Sequence, residues 1–106
     1  MALSIVTTIE DQAAVVAAVG EVDVSCADQL RDAIDQALAD VVGKVTVDLS
    51  QVPYIDSTGI GVLVGAVHRA QDAGKTLTVA HPQRNVRRVL DMLAVSSELG
   101  VDAQEA

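Results

Sequence analysis

Apolar residues recur with two different periods along the chain. Residues 3–9 and 13–19 are short apolar segments separated by a polar interval, which predicts a hairpin of two strands. The second segment is apolar throughout, as expected of a strand covered on both faces. Ser25 and Asp28 then resemble a capping box with Asp in the place of Glu. They precede a helical stripe formed by Leu30, Ala33, Ile34, Ala37 and Leu38.

The centre of the chain changes from strand to helix within a few residues. Apolar and polar residues alternate over 44–49, which predicts a strand, and a turn is predicted around Pro53. A helix is then predicted from Ser57 to about Asp72, with Gly74 closing it. Residues 76–80 form another strand, which completes a βαβ unit. A third helix is expected from Pro82. Its predicted inner face contains Val86, Val89, Leu90 and Leu93, and its outer face contains Arg84, Arg87 and Arg88. The tail after Val95 is expected to be a short helix or strand that frays, with Leu99 and Val101 as anchors.

The helix that begins near Ser57 has an unusual surface. At 100° per residue, Ile60, Leu63 and Val67 share one side. Ser57, Gly61 and Gly65 form a neighbouring stripe with almost no side-chain bulk, and Val62 and Ala66 are predicted to point further outward. This smooth, partly apolar surface beside a serine is suited to docking another protein. Close packing of the two glycines against the sheet is the alternative.

Composition narrows the possible functions. The 106 residues predict one domain, 1–106, and with Tyr54 as the only aromatic residue a deep cofactor pocket is not expected, so no cofactor is predicted. A net charge of −8 disfavours nucleic acid and anionic membrane surfaces as partners. The single Cys26 agrees with a reducing compartment, and the chain begins without a signal-peptide pattern. We therefore expect a soluble, cytoplasmic protein.

Polar groups are predicted to collect at the carboxyl ends of two parallel strands. If the strands ending at Gly20 and Leu49 are neighbours, Asp23 comes close to Asp56 and Ser57. A hydrolase is not indicated, because His68 lies eleven residues along the helix from Ser57, about 16 Å away. No metal site is predicted, because His68 and His81 lack neighbouring ligands.

Three motifs resemble the STAS domains of the anti-sigma factor antagonist (anti-anti-sigma factor) family. They are Gly20-Glu21-Val22-Asp23, the run from Val47 to Asp56-Ser57-Thr58-Gly59, and Val86-Arg87-Arg88-Val89-Leu90. The resemblance implies an α/β fold, a mixed sheet of four or five strands with helices mainly on one face. A departure from the family pattern is Leu93-Ala94-Val95, where a glycine commonly follows the last helix.

The resemblance also implies a function that is regulatory and not enzymatic. A partner that is both serine kinase and anti-sigma factor would phosphorylate Ser57, and the unphosphorylated form would bind that partner and free a sigma factor. A PP2C-type phosphatase would reset the switch. Asp23, Asp56, Thr58 and Gly59 would neighbour the phosphorylation site. The docking surface would comprise Glu21, Ser57, Gly61, Val62 and Gly65.

Other interpretations of the same residues remain open. Ser57 could be only the N-cap of its helix, and Asp23 only a turn residue. The domain could instead be a STAS-like sensor of a small ligand or nucleotide within a larger assembly, or a catalytic phosphotransferase. A ligand bound to the purified protein would favour the sensor, and turnover without any partner would favour the transferase.

Overall fold

Within the residues that the structure describes, four strands and three helices follow one another in the order that the hydrophobic pattern predicts. The computed structural model describes residues 3–41 and 43–101. The strands are β1 (Ser4–Glu10), β2 (Ala13–Val19), β3 (Lys44–Gln51) and β4 (Thr76–Ala80). The helices are α1 (Ala27–Asp40), α2 (Ser57–Asp72) and α3 (Arg84–Met92).

The strands form one mixed sheet in the order β1-β2-β3-β4. β1 and β2 pair antiparallel as the predicted hairpin, while β2 with β3 and β3 with β4 are parallel. The parallel pairs require crossovers, which α1 and α2 supply. The expected mixed α/β fold is therefore confirmed, with four strands in the described part of the sheet.

The prediction that β2 is covered on both faces is wrong. Ala14, Val16 and Ala18 are buried, whereas Val15 and Val19 on the opposite face are exposed. β3 alternates in the same way, with Val45, Val47 and Leu49 fully buried. The helices therefore cover one face of the sheet, and the other face of β2 leaves Val15 and Val19 in contact with water.

The start of α1 also differs from its prediction. The helix begins at Ala27, and the N-cap position is Cys26, whose side chain makes no capping bond. Ser25 does not cap the helix, because its N–H and hydroxyl both donate to Asp23. The predicted capping box is therefore absent. The helical stripe is confirmed: Leu30, Ile34, Ala37 and Leu38 are buried, and Ala33 is partly buried against the core.

α3 is shorter than its pattern suggested. It begins at Arg84, after Pro82, and buries Val86 and Leu90. Leu93, predicted on the inner face, is exposed because it is already the C-cap residue. The next residue, Ala94, has φ 58°, a left-handed conformation.

The segment after α3 is held in turns up to Val101. The Leu99 carbonyl accepts from the Val79 N–H at 2.8 Å, so the segment lies along the outer edge of β4. Leu99 and Val101 are fully buried, which confirms them as anchors. Neither a helix nor a strand forms there, so that part of the prediction is wrong. Residues 102–106, the rest of the predicted tail, lie outside the described residues.

Candidate functional site

The loops that leave β2 and β3 are joined by backbone hydrogen bonds. The Gly20 N–H donates to Gln51, the Val22 N–H donates to Tyr54, and the Asp56 N–H donates to Val22, all at 2.9–3.0 Å. Val22 and Ile55 form an isolated parallel bridge. The carboxyl ends of β2 and β3 are thus adjacent, as the sequence analysis assumed.

Asp56 connects these two loops and caps α2. Its Oδ1 accepts from the Gly59 N–H at 2.9 Å, which makes Asp56 the N-cap residue. Its Oδ2 accepts from the Val24 N–H at 3.1 Å. Both carboxylate oxygens are therefore engaged, and each fixes a backbone segment of the site.

Asp23 lies in the same loop cluster, but its carboxylate is directed to its own turn. Oδ1 accepts from the backbone N–H and hydroxyl of Ser25 and from the Cys26 thiol. Two hydrogen bonds lower the pKa of Asp23 below its usual value. The bond from the Ser25 hydroxyl has the larger effect, and the bond from the Ser25 N–H has the next largest. Asp23 therefore shapes the β2–α1 turn and adds negative charge close to Asp56.

Ser57 and Thr58 are the first two residues of α2, and both are exposed. Because Asp56 is the N-cap, the alternative in which Ser57 caps the helix is excluded. Within the described residues, no hydrogen bond of the Ser57 hydroxyl is found, and the N–H groups of Ser57 and Thr58 have no acceptor. A small group attached to the Ser57 oxygen would meet free N–H donors at the positive end of a helix dipole.

The three glycines of the first turns of α2 occupy different environments. A Cβ at Gly59 would lie 2.7 Å from side-chain carbons of Val22 and Ile55, so Gly59 permits close packing on the loop cluster. A Cβ at Gly61 would meet nothing within 4 Å, and Gly61 is exposed. Gly65 is partly covered by Arg69, whose guanidinium binds Asp35 of α1.

The exposed face of α2 is therefore narrower than the face that its sequence pattern predicted for docking. Gly61 is open and Val62 is half-buried against the core. Ala66 is fully buried, so its predicted outward position is wrong. The reason is that α2 contacts both α1 and β4, which covers more of its circumference than one stripe.

Two apolar side chains beside the site were missed by sequence reasoning. Val24 is 74% exposed although its N–H is fixed by Asp56, and Tyr54 is 49% exposed next to the Val22 bridge. The available signal was a valine within the polar β2–α1 loop and the only aromatic residue of the chain just before Ile55. Glu21, which was predicted, is exposed on the same loop.

Several other site types are not found in the described part of the chain. No group of three His, Cys, Asp or Glu side chains has the spacing to hold a metal ion, and no pocket is present. No helix within these residues has the length and apolar character needed to cross a membrane. The Nε2 atom of His68 lies 3.0 Å from Oε1 of Glu98.

Comparison with known families identifies the fold. The family described as "Mlab, STAS domain" matches residues 5–100, nearly the whole described chain. The chain belongs to the STAS domain family. Among curated relatives, this STAS domain is 28% identical over 102 residues to the anti-sigma-B factor antagonist of Staphylococcus aureus (strain NCTC 8325 / PS 47), covering 96% of this chain and 94% of the relative. It is 29% identical over 85 residues to the protein of the same name from Bacillus subtilis (strain 168), covering 80% and 77%.

Solved structures share the STAS architecture. An anti-sigma factor antagonist from Mycobacterium paratuberculosis superposes with a TM-score of 0.83 at 22% identity, covering 94% of this chain and 85% of the other. The unphosphorylated form of the anti-sigma factor antagonist SpoIIAA gives 0.75 at 20% identity, covering 91% and 84%. The phosphorylated form of the Bacillus SpoIIAA gives 0.69 at 18% identity, covering 92% and 87%.

Proposed function

We propose that this STAS domain is an anti-sigma factor antagonist that is switched by phosphorylation of Ser57. Unphosphorylated, it binds an anti-sigma factor with serine kinase activity and so frees a sigma factor in the cytoplasm. A PP2C-type phosphatase restores the unphosphorylated form, and the domain itself performs no catalysis. The names of the curated relatives support this function. So does the existence of SpoIIAA structures in phosphorylated and unphosphorylated forms.

The observation that carries the proposal is the division between Asp56 and Ser57. Asp56 already caps α2 with one carboxylate oxygen, so the neighbouring hydroxyl is exposed and makes no hydrogen bond within the described residues. A kinase can therefore reach the Ser57 oxygen without unfolding the helix start. Thr58, one position further into the first turn, is the nearest competing acceptor.

The docking surface proposed for the partner surrounds this hydroxyl. It comprises exposed Glu21, Val24 and Tyr54 on the loops, and Gly61 with half-buried Val62 on α2. The partner backbone can approach α2 closely at Gly61, because no side chain stands there. The half-buried Gly65 forms the margin of this surface, where Arg69 limits the approach.

To test the proposal, the Ser57→Ala variant is immobilised and used to capture its partner. Ser57→Ala keeps a small neutral surface, so it should bind the partner constitutively. The recovered protein is then incubated with ATP and the wild-type chain, and intact mass and peptide mapping locate the phosphate. We expect one phosphate on Ser57, unchanged in a Thr58→Ala control. Phosphate chiefly on Thr58, or none from any captured partner, would contradict the proposal.

A further inference from the structure

The two edges of the sheet differ in how they are covered. On the outer edge of β4, the Val79 N–H donates to the Leu99 carbonyl at 2.8 Å, and the segment up to Val101 covers that strand. β1 forms the other edge of the sheet. Among the described residues, no segment pairs with the outer side of β1. Its outward backbone N–H and C=O groups are therefore available to another strand.

β1 lacks the features that usually prevent edge strands from pairing. Its seven residues, SIVTTIE, include neither lysine nor proline. Its register with β2 is continuous over the whole strand, whereas β2 and β3 contain a register shift. Val6 is 59% exposed and Ile9 is 48% exposed, so the strand also leaves apolar surface in water. Such a strand is a template for strand addition.

The strand is complementary to a second copy of itself. In an antiparallel arrangement with Thr7 on the two-fold axis, Thr7 lies opposite Thr7 of the second copy. Ile5 then lies opposite Ile9, and Val6 opposite Thr8. Directly opposite residues in antiparallel strands share a face, so this register keeps the helix-covered faces of the two sheets on the same side. Each pair joins β-branched side chains, which favour cross-strand contact.

Charge also favours this edge for contact between two copies. The chain has a net charge of −8, so most surfaces of two copies repel each other. The outer surface of α1, for example, exposes Asp28, Asp32, Asp35 and Asp40. From Ser4 to Ile9, in contrast, β1 has no charged residue. In the register centred on Thr7, Glu10 lies opposite Ser4 of the second copy, about 20 Å from the other Glu10.

We infer that β1 is a self-association site through which two copies join into one continuous eight-stranded sheet. The contact is isologous, so it closes at a dimer. A seven-residue edge is small compared with the roughly 1,600 Å² of a standard interface, and the dimer is therefore concentration-dependent. This association is separate from the proposed function and does not rest on it.

Sedimentation velocity of the full chain, from low micromolar to near-millimolar concentration, measures the association. Val6→Lys places a charge on the edge strand and should weaken dimerisation at least about tenfold. Val15→Lys is the matched control, since Val15 lies on the same face one strand inward and is 41% exposed. It should leave the dimer intact. A monomer at every concentration would overturn the inference, and equal weakening by both variants would replace it with packing between sheet faces.

Disulfide trapping tests the register. In a Cys26→Ser background, which removes the free thiol, Thr7→Cys should oxidise to a covalent dimer. The two Cα atoms opposite each other would be about 4.5–5.5 Å apart, within disulfide range. Ser4→Cys is the control, because its two copies would be about 20 Å apart. Cross-linking through Ser4→Cys and not through Thr7→Cys would overturn the proposed pairing.

Discussion

At the start of α2, adjacent side chains have separate tasks. Asp56 binds the N–H groups of Val24 and Gly59 and holds two loops and a helix together. Ser57 makes none of these bonds and remains exposed. The Ser57 hydroxyl can therefore be phosphorylated, as proposed, without loss of the hydrogen bonds of Asp56 that hold the start of α2 in place.

Substitutions at Gly59 and Gly61 should affect different properties, stability at Gly59 and partner binding at Gly61. Gly59→Ala puts a Cβ 2.7 Å from Val22 and Ile55 carbons, so we expect a loss of about 1–3 kcal/mol in unfolding free energy. Gly61→Arg enters open space and should leave the melting temperature within a few degrees while abolishing partner binding. Thermal melts measure the effect on stability, and affinity for the partner captured with Ser57→Ala measures the effect on binding. Unfolding of Gly61→Arg would show that this glycine packs inward.

At the scale of whole elements, hydrophobic period together with turn and helix-end residues located the strands and helices. α2 has the predicted bounds, Ser57–Asp72, and β2 and β4 also match. The misses concern contacts between elements. The exposed face of β2 and the buried Ala66 depend on where helices pack, and Ser25 bonds Asp23 in preference to capping α1. Periodicity within one segment carries no information about these choices.

The predicted site residues show the same limit. The Asp56-Ser57 corner followed from the sequence, and the proximity of the two loops followed once the strands ending at Gly20 and Leu49 were assumed to be parallel neighbours. The exposure of Val24 and Tyr54 could not, because it depends on how the loops cross after the strands end. Gly61 and Gly65 looked equivalent in sequence, yet the Arg69–Asp35 ion pair covers only Gly65.

The end of α3 offers a test of backbone strain. The Val95 N–H donates to Leu90 and the Ala94 N–H to Asp91, a Schellman pattern that places Ala94 at φ 58°. Glycine adopts this conformation without the steric cost that alanine has. Ala94→Gly should therefore raise the unfolding free energy by about 0.5–1 kcal/mol, which is a few degrees in Tm.

The matched control for Ala94→Gly is Ala39→Gly, within α1. Ala39 is exposed and helical, so glycine there should lower stability by about 0.5–1 kcal/mol. Chemical denaturation of the two variants beside the wild type compares them directly. A loss of stability in Ala94→Gly would show that the left-handed residue is not strained.

At the scale of the whole molecule, phosphorylation should change binding and leave the fold in place. A phosphate on Ser57 can accept from the free N–H groups at the helix start, typically 0.3–1 kcal/mol of stabilisation. Repulsion from the adjacent Asp56 carboxylate opposes it by about 1 kcal/mol. These contributions nearly cancel. A docked partner, however, would bury an unpaired dianion at a cost of about 3–4 kcal/mol.

The most direct test of the central claim compares how tightly the captured anti-sigma factor binds the unphosphorylated and the Ser57-phosphorylated chains. Circular dichroism of the same samples reports whether the fold is retained. The cost of burying the phosphate predicts that phosphorylation weakens binding by about two to three powers of ten while the spectrum is unchanged. Equal affinity of the two forms, or lost helical signal in the phosphorylated form, would contradict the account.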